Sequence, residues 1–504
     1  MSVFAELMAG FEIVFQPMAF LLMSFGVAIG VIIGALPGLS GSMGIILLLP
    51  MTYRMDSSTA LVMLCGLFCG SMYGGSVSAI LLKTPGTPSA SATVLDGYPL
   101  AQRGEAGLAI GVSALSSFIG GLISTICLIL ISPQLAKIAL KFNAADYFSL
   151  AIFGLTIMAS SVGKNMLKGL MAGSLGMLIS TVGTDPIVGN TRFTFGSYGL
   201  MSGFNILPVL IGIFAVSEVF VQLKNRGQSE QIPMQNPRNF MPTFKEFKGF
   251  FWAAVVGGFI GVFIGIVPGT GGAIACFLAY NVVQKLSKKP DEFGKGSLQG
   301  IAAPESANNG TTGGALVPML TLGIPGDTIT SVMLGALTLI GVKPGPLLFT
   351  QSPDIVYAIF AGMLVIQFLM LGMGLVFARF APYVLRISSK VLMPIIMVLC
   401  VVGAFTLSNN MYHVYTALGF GVLGYFMKKY GYPGAPLVLG VILGPMAEQN
   451  LNRALQLSKN DWSVLLRRPI SLSFLIISAL LMLLAVYNAV RSAKTVRENG
   501  DETV

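Results

Sequence analysis

The sequence predicts an all-α polytopic membrane protein of roughly twelve transmembrane helices, some broken or re-entrant at Pro-Gly hairpins, built as two inverted repeats. Three observations carry this. The 504 residues are 54% hydrophobic and only 10% charged, with a mean hydropathy of +0.81, whereas soluble domains carry about 25% charged residues. Apolar runs of about 17 to 25 residues, the length that crosses a bilayer as a helix, recur from Ile13 to Val490 without the alternation of a transmembrane β-barrel. One phrase is also written twice, GVIIGALPGLSGS at Gly30 to Ser42 and GVFIGIVPGTGGA at Gly261 to Ala273. Counted from Gly26 and Gly257 through the Pro-Gly, eight of thirteen positions agree at a constant offset of 231.

In chain order, apolar segments near 13 to 36, 39 to 49, 58 to 82, 107 to 132, 143 to 162, 166 to 183 and 203 to 223 make the first membrane repeat, 1–223. A polar, Pro-containing, basic stretch, 224–248, reads as the inter-repeat linker. Segments near 249 to 267, 268 to 284, 310 to 342, 355 to 380, 391 to 408, 411 to 427, 433 to 447 and 470 to 490 make the second repeat, 249–490, before a polar tail, 491–504. Seven apolar legs separate Gly38 from Gly269. If each crosses once, the odd number turns the second copy upside down. The N-terminal MSVFAELMAGFEIVF has no basic n-region or small-residue cleavage site, so the first apolar run is expected to be retained.

The net charge of +10 comes from basic residues at the ends of apolar segments, the pattern of membrane-flanking loops and not of a nucleic-acid partner. Four basic loops, at Lys224 to Lys248, Lys285 to Lys295, Arg379 to Lys390, and Lys428 with Lys429, are expected on the cytoplasmic side. Cys65, Cys69, Cys127, Cys276 and Cys400 all lie in apolar segments and read as small packing residues; no transition-metal site is expected.

A second phrase pair follows the first, SAILLKTPGTPSAS at Ser78 to Ser91 and PMLTLGIPGDTITS at Pro318 to Ser331, with its Pro-Gly pairs offset by 240. Each half therefore holds two breaks. Proline starts a helix well and glycine lets backbone approach a ligand, so a helix restarting after Pro-Gly aims unpaired N–H groups at an anion. Carboxylates suit such a pocket. Ser40, Ser42, Thr84, Thr87, Thr270, Asn308, Asn309, Thr311, Thr312 and Thr328 add neutral donors and acceptors for substrate or sodium. Most of the 61 glycines read instead as helix-packing residues.

Charged residues inside apolar stretches are few: Lys83, Asp185, Glu218, Glu305 and Asp327. Each costs about 2.5 to 3.5 kcal/mol at a helix centre on insertion scales, and so needs a partner, a cavity or the interface. Lys83 either balances an anionic substrate or snorkels to the interface. Asp327 binds a coupling cation or caps a helix. Glu305 is expected to cap or pair near a loop. Gly38, Leu39, Ser40 and Gly41 spell the G-x-S-G of intramembrane serine proteases, but His413 is the sole histidine and the second copy has Gly271 in place of Ser40. Neither H-E-x-x-H nor a Walker phosphate loop occurs, so no enzyme and no cofactor is expected.

Several longer phrases occur together: GALPGLSG at Gly34 to Gly41, YGGSVSAILLKTPGTP at Tyr73 to Pro88, LDGYPLAQRGEAG at Leu95 to Gly107, GKGSLQGIAAPESANNG at Gly294 to Gly310, PMLTLGIPGD at Pro318 to Asp327 and LGPMAEQNLNRAL at Leu443 to Leu455. With them the chain resembles, over nearly its whole length, the large membrane subunit of tripartite tricarboxylate transporters, the TctA type. The resemblance implies a permease of the bacterial cytoplasmic (inner) membrane. It would import di- or tricarboxylates or related organic acids by secondary transport coupled to Na+ or H+, alongside a small membrane subunit and a periplasmic solute-binding protein. Carried onto this chain, it places substrate around Pro37, Gly38, Ser40, Pro268, Gly269 and Thr270 and around Pro85, Gly86, Pro325 and Gly326, flanked by Gly41, Thr84, Thr87 and Gly271. Asn308, Asn309, Thr311 and Asp327 are the ion-binding candidates. No arginine, the usual bidentate carboxylate clamp, stands in any break. The alternative from another class is a passive anion channel lined by the same breaks.

Overall fold

The structure, a computed structural model, describes residues 3–160, 166–185, 189–224, 240–386, 389–406 and 409–501. Most of the linker expected at 224–248 and the last three residues of the tail fall outside them. The described residues are almost wholly helical, with one two-residue antiparallel pairing of Gly183–Thr184 with Thr191–Arg192. Six helices among them are long and apolar enough to cross a bilayer: Pro17–Ala35, Ser57–Leu82, Val94–Ala139, Ile206–Lys224, Phe244–Ile266 and Pro353–Val384. Shorter apolar helices, such as Gly41–Thr52 and Thr328–Leu339, follow the Pro-Gly breaks. Their outward faces are greasy, with Phe20, Leu130, Phe263, Phe368 and Leu483 exposed, as lipid contact requires. The chain is an all-α, multi-pass membrane protein.

Compaction divides it into two units, 1–139 with 221–403, and 140–220 with 404–504. Each half of the sequence contributes to both. The first unit contains α1 (Val3–Val14), α2 (Pro17–Ala35), α3 (Gly41–Thr52), α4 (Ser57–Leu82), α5 (Val94–Leu100) and α6 (Ala106–Ala139). In the second unit, α7 (Ala144–Ser160) and α8 (Met166–Ser180) pack their apolar faces on a helix of the other sequence half, Gly434–Leu457. Ala151, Leu155 and Met158 meet Leu439, Leu443 and Ala447 there. Buried Asp146 accepts from Arg468 Nη2 at 2.8 Å and from the Ser471 N–H at 3.1 Å, which pins the start of a helix at Pro469–Asp501. Further described helices include α9 (Ile206–Leu210) and α10 (Ser217–Lys224), joined by a π-helical stretch, and α11 (Phe244–Ile266), α12 (Gly271–Leu286), α13 (Leu298–Leu322), α14 (Thr328–Leu339), α15 (Leu348–Gln351), α16 (Pro353–Val384) and α17 (Ser389–Thr406).

At the centre of the first unit stand α4 and α13, each sealed by protein along nearly its whole length. Both are glycine-rich, and the glycines bring their neighbours in. A Cβ on Gly26, Gly30 or Gly34 of α2 would come within 3.0 Å of the carbonyl oxygens of Met63, Leu67 and Ser71 on α4. A Cβ on Gly257, Gly261 or Gly265 of α11 would do the same at Ala303, Ala307 and Thr311 on α13. The first set maps onto the second by the offset of 231 on one helix and 240 on the other, so the duplicated words make duplicated seams. Reciprocal glycines repeat the register: Gly70 and Gly74 lie on the carbonyls of Val27 and Val31, and Gly310 and Gly314 on those of Gly258 and Val262. Small residues every fourth position are what let two helix backbones touch inside a membrane.

Overpacking such a seam destabilises by about 1 to 3 kcal/mol or more. Gly30→Val and Gly261→Val are each expected to lower the melting temperature of the purified protein in detergent. Gly372→Ala, where an added Cβ meets nothing within 4 Å, leaves it unchanged or higher.

Candidate functional site

All four breaks lie in the first unit. The first breaks of each half share one construction. Helix α2 stops at Ala35 and α11 at Ile266, and Gly38 (φ +88°) and Gly269 (φ +80°) turn the chain through the left-handed region that glycine adopts without strain. The second breaks share another: α4 ends on Lys83 (φ +58°) and α13 on Gly323 (φ +71°), both left-handed caps, ahead of Pro85–Gly86 and Pro325–Gly326.

Within each half the two breaks are stitched together. The Gly86 position lies against the Gly34 carbonyl and the Gly326 position against that of Gly265, again equivalent residues. In the second half, the Gly269 N–H donates to the Gly326 carbonyl at 2.7 Å, and in the first, the Gly86 N–H donates to that of Gly75 at 3.2 Å. The halves also meet crosswise. Gly41, opening α3, packs against Ile329 of α14, and its equivalent Gly272, opening α12, packs against Ser89 of the 3-10 turn Pro88–Ser91. The four breaks thus form one cluster.

The two re-started helices differ in their caps. Ser40 caps α3, its Oγ accepting from the Met43 N–H at 3.3 Å and lying 2.9 Å from Ser42 Oγ. At the corresponding place α12 has Gly271 (φ +70°), which has no side chain, and Thr270 gives no cap either. The Thr270 hydroxyl turns back to the Ile264 and Val267 carbonyls, at 2.5 and 2.9 Å, and closes the end of α11. The first N–H groups of this 16-residue helix are therefore left without a side-chain acceptor, which is the arrangement that binds anions.

Asn308 of α13 faces this bare end. Its Nδ2 donates to the Met72 carbonyl at 2.9 Å, and its fully buried Oδ1, lying 3.3 Å from where a Gly272 Cβ would stand, has no partner among the described residues. A buried acceptor left unpaired costs about 1 to 3 kcal/mol, so the position favours a ligand that donates or a cation. Asn309 likewise has both amide atoms unpartnered among the described residues.

Other expected residues are placed differently. The Thr311 hydroxyl donates to the Asn308 carbonyl within its own helix, at 2.7 Å. Asp327 caps α14, its Oδ1 accepting from the N–H and the hydroxyl of Thr330, both at 2.7 Å, while its own N–H donates to that hydroxyl. Thr84 is exposed beside its break, and the buried Thr87 hydroxyl lies 3.2 Å from Ser89 Oγ. Pro37 and Gly38 are half-buried, whereas Gly41, Pro268 and Pro325 are buried. Lys83 is exposed, with Nζ over the Tyr98 ring.

Glu305, expected from the sequence to cap or pair near a loop, is placed differently. It is fully buried in α13, where its carboxylate collects four hydroxyls: Ser76 of α4 on both oxygens, at 2.6 and 2.7 Å, Thr93, and Ser113 and Ser117 of α6 at 3.0 and 3.2 Å. The expected loop cap is instead a polar knot in the core. Ser89, in the stretch from Thr87 to Ser91, meets the start of α12.

Broken helices gathered inside a multi-pass helical unit, with an uncapped helix start and orphaned amides, define a membrane transport protein. Its family follows from the chain itself: residues 20–439 match the model of the tripartite tricarboxylate transporter TctA family, and the protein belongs to that family, which is one of transporters and not of enzymes. It is 35% identical over 494 residues, 98% of each chain, to an Agrobacterium vitis protein described as an uncharacterized 52.8 kDa protein in the TAR-I ttuC' 3' region. A second protein of that organism, described as an uncharacterized protein in the TAR-II ttuC' 3' region, is 36% identical over 234 residues, 46% of this chain and 97% of its own. No solved structure matches.

Replacing Asp327 separates a cap from a ligand. Asp327→Asn, an equally good cap, is expected to keep the melting temperature, and Asp327→Ala to lose about 1 kcal/mol. A cation site at Asp327 would instead make Asp327→Asn insensitive to an ion that stabilises the wild type.

Proposed function

We propose that this chain is the permease subunit of a binding-protein-dependent uptake system of the bacterial inner membrane, importing di- or tricarboxylates or related organic acids with Na+ or H+. A small membrane subunit and a periplasmic solute-binding protein would complete it. The observation that carries this is the bare start of α12 beside the unpartnered Asn308 Oδ1. Backbone N–H groups there suit a carboxylate, and the amide oxygen suits a hydroxyl, a protonated carboxyl or a cation on the same ligand. The inverted relation of the repeats belongs to this reading. It is supported by the equivalent seams and by the crosswise meeting of Gly41 with Ile329 and Gly272 with Ser89.

Proteoliposomes containing the protein with its small membrane subunit, preloaded with unlabelled citrate or succinate, test it. Labelled substrate is expected to enter by saturable counterflow. Flux without exchange or saturation would show a passive anion pore. Gly38→Val and Gly269→Val, which place a β-branched residue at positive φ, are expected to abolish counterflow in a protein that still extracts as a folded monodisperse species. Asn308→Ala removes one hydrogen bond of about 0.5 to 1.5 kcal/mol, so KM should rise roughly 2- to 10-fold.

A further inference from the structure

We propose that Glu305 is the coupling site, a carboxyl group that takes up and releases one proton inside a cage of four hydroxyls; the inference rests on the transport reading above and names its ion. Three segments converge on this one side chain: α4 through Ser76, the stretch after the second break through Thr93, and α6 through Ser113 and Ser117. Glu305 forms no ion pair among the described residues. A carboxylate held in the core without a countercharge is costly, and neutralisation by a proton removes that cost.

The cage chemistry suits a proton in particular. A hydroxyl both donates and accepts, so four hydroxyls satisfy the ionised carboxylate as donors, and one of them rotates to accept when an O–H bond forms on Oε1 or Oε2. Lysine or arginine would lock the group in its charged form. The hydroxyl oxygens of Ser76, Ser113 and Ser117 already stand 2.6 to 3.2 Å from the carboxylate, in direct hydrogen-bond contact with it.

Tyr73 on α4 and Cys276 on α12 lie within electrostatic reach of Glu305, and α4 also carries Cys65 and Cys69. On α5, Asp96 is held by the N–H groups of Gly296 and Ser297 and by the Tyr280 hydroxyl of α12. Helix α6 has no titratable residue between Ala106 and Cys127, and on α11 Lys245, Glu246 and Lys248 lie in the first turns. On α14, Asp327 is the helix cap, and α15 has none.

The site is wired to the substrate cluster at both ends. Glu305 and Asn308 are three residues apart on α13, about one turn and 4.5 Å of rise. Thr93 follows the turn Pro88–Ser91 whose Ser89 packs on the start of α12, and Ser76 adjoins Gly75, whose carbonyl holds the Gly86 N–H. Protonation that re-aims Thr93 or Ser76 therefore acts on the break that closes against α12.

Infrared difference spectra of the full-length protein in lipid, recorded between acid and alkaline buffer without substrate, test the proton site directly. A protonated-carboxyl C=O band is expected that Glu305→Gln abolishes and that Ser117→Ala, which leaves the carboxyl in place, shifts. A spectrum with no Glu305-dependent band, or one that responds to sodium and not to pH, overturns the proposal. In proteoliposomes, an inward-directed proton gradient should stimulate citrate or succinate uptake by the wild type, and Glu305→Gln should lose that stimulation; retained stimulation in the variant also overturns it. Wild-type vesicles that show no counterflow remove the transport reading and the coupling role with it, while the infrared band still decides whether Glu305 holds a proton.

Discussion

A helix broken at membrane depth survives only if something other than lipid receives the backbone groups that the break releases. Here that role falls to the glycine seams between α2 and α4 and between α11 and α13. Because Gly86 and Gly326 have no side chains, they can lie directly on the carbonyls of Gly34 and Gly265, and the backbone of one break comes to rest on the helix end of the other. A larger residue at any of these contacts would hold the helices apart and open the breaks to hydrocarbon. The seams are therefore the precondition for the site, and their energy comes from van der Waals contact of backbones.

The two halves share this frame but not its chemistry. Where α13 carries Glu305, Asn308 and Asn309, the equivalent positions of α4 are Cys65, Phe68 and Cys69. Where Ser40 caps α3, Gly271 leaves α12 open. Duplication supplies two superimposable scaffolds, and function has room to appear wherever one copy departs from the other without disturbing the glycines. Most of the polar atoms in the described structure that lack partners belong to α13 or to helices beside it, not to the seams themselves.

How much of this was legible in the sequence depends on the range over which each feature acts. The breaks were readable because proline and glycine act on their own backbone, and a repeated local word gives a repeated local shape. Asn308 and Asn309 stood out as neighbouring amides in an apolar stretch. The fate of Thr270 could not be read, since whether its hydroxyl faces a ligand or the end of α11 is decided by one rotamer. Glu305 was hidden most deeply. Its partners come from positions 76, 93, 113 and 117, about two hundred residues away, and no periodicity connects a glutamate with serines on two other helices.

The absence of arginine from the breaks takes on meaning beside these features. A bidentate guanidinium would hold a carboxylate by charge-assisted bonds roughly twice as strong as neutral ones, and a carrier must also let its cargo go. Conduction and transport both need binding strong enough to admit and weak enough to release. Backbone N–H groups at a bare helix start offer partial charge whose strength depends on the helix end staying assembled, and at α12 that end is assembled against Ser89 and Asn308. Moving the turn Pro88–Ser91 by a fraction of a helical turn would remove one wall of the proposed anion seat without having to neutralise a full charge. A permanently cationic site has no comparable way to weaken.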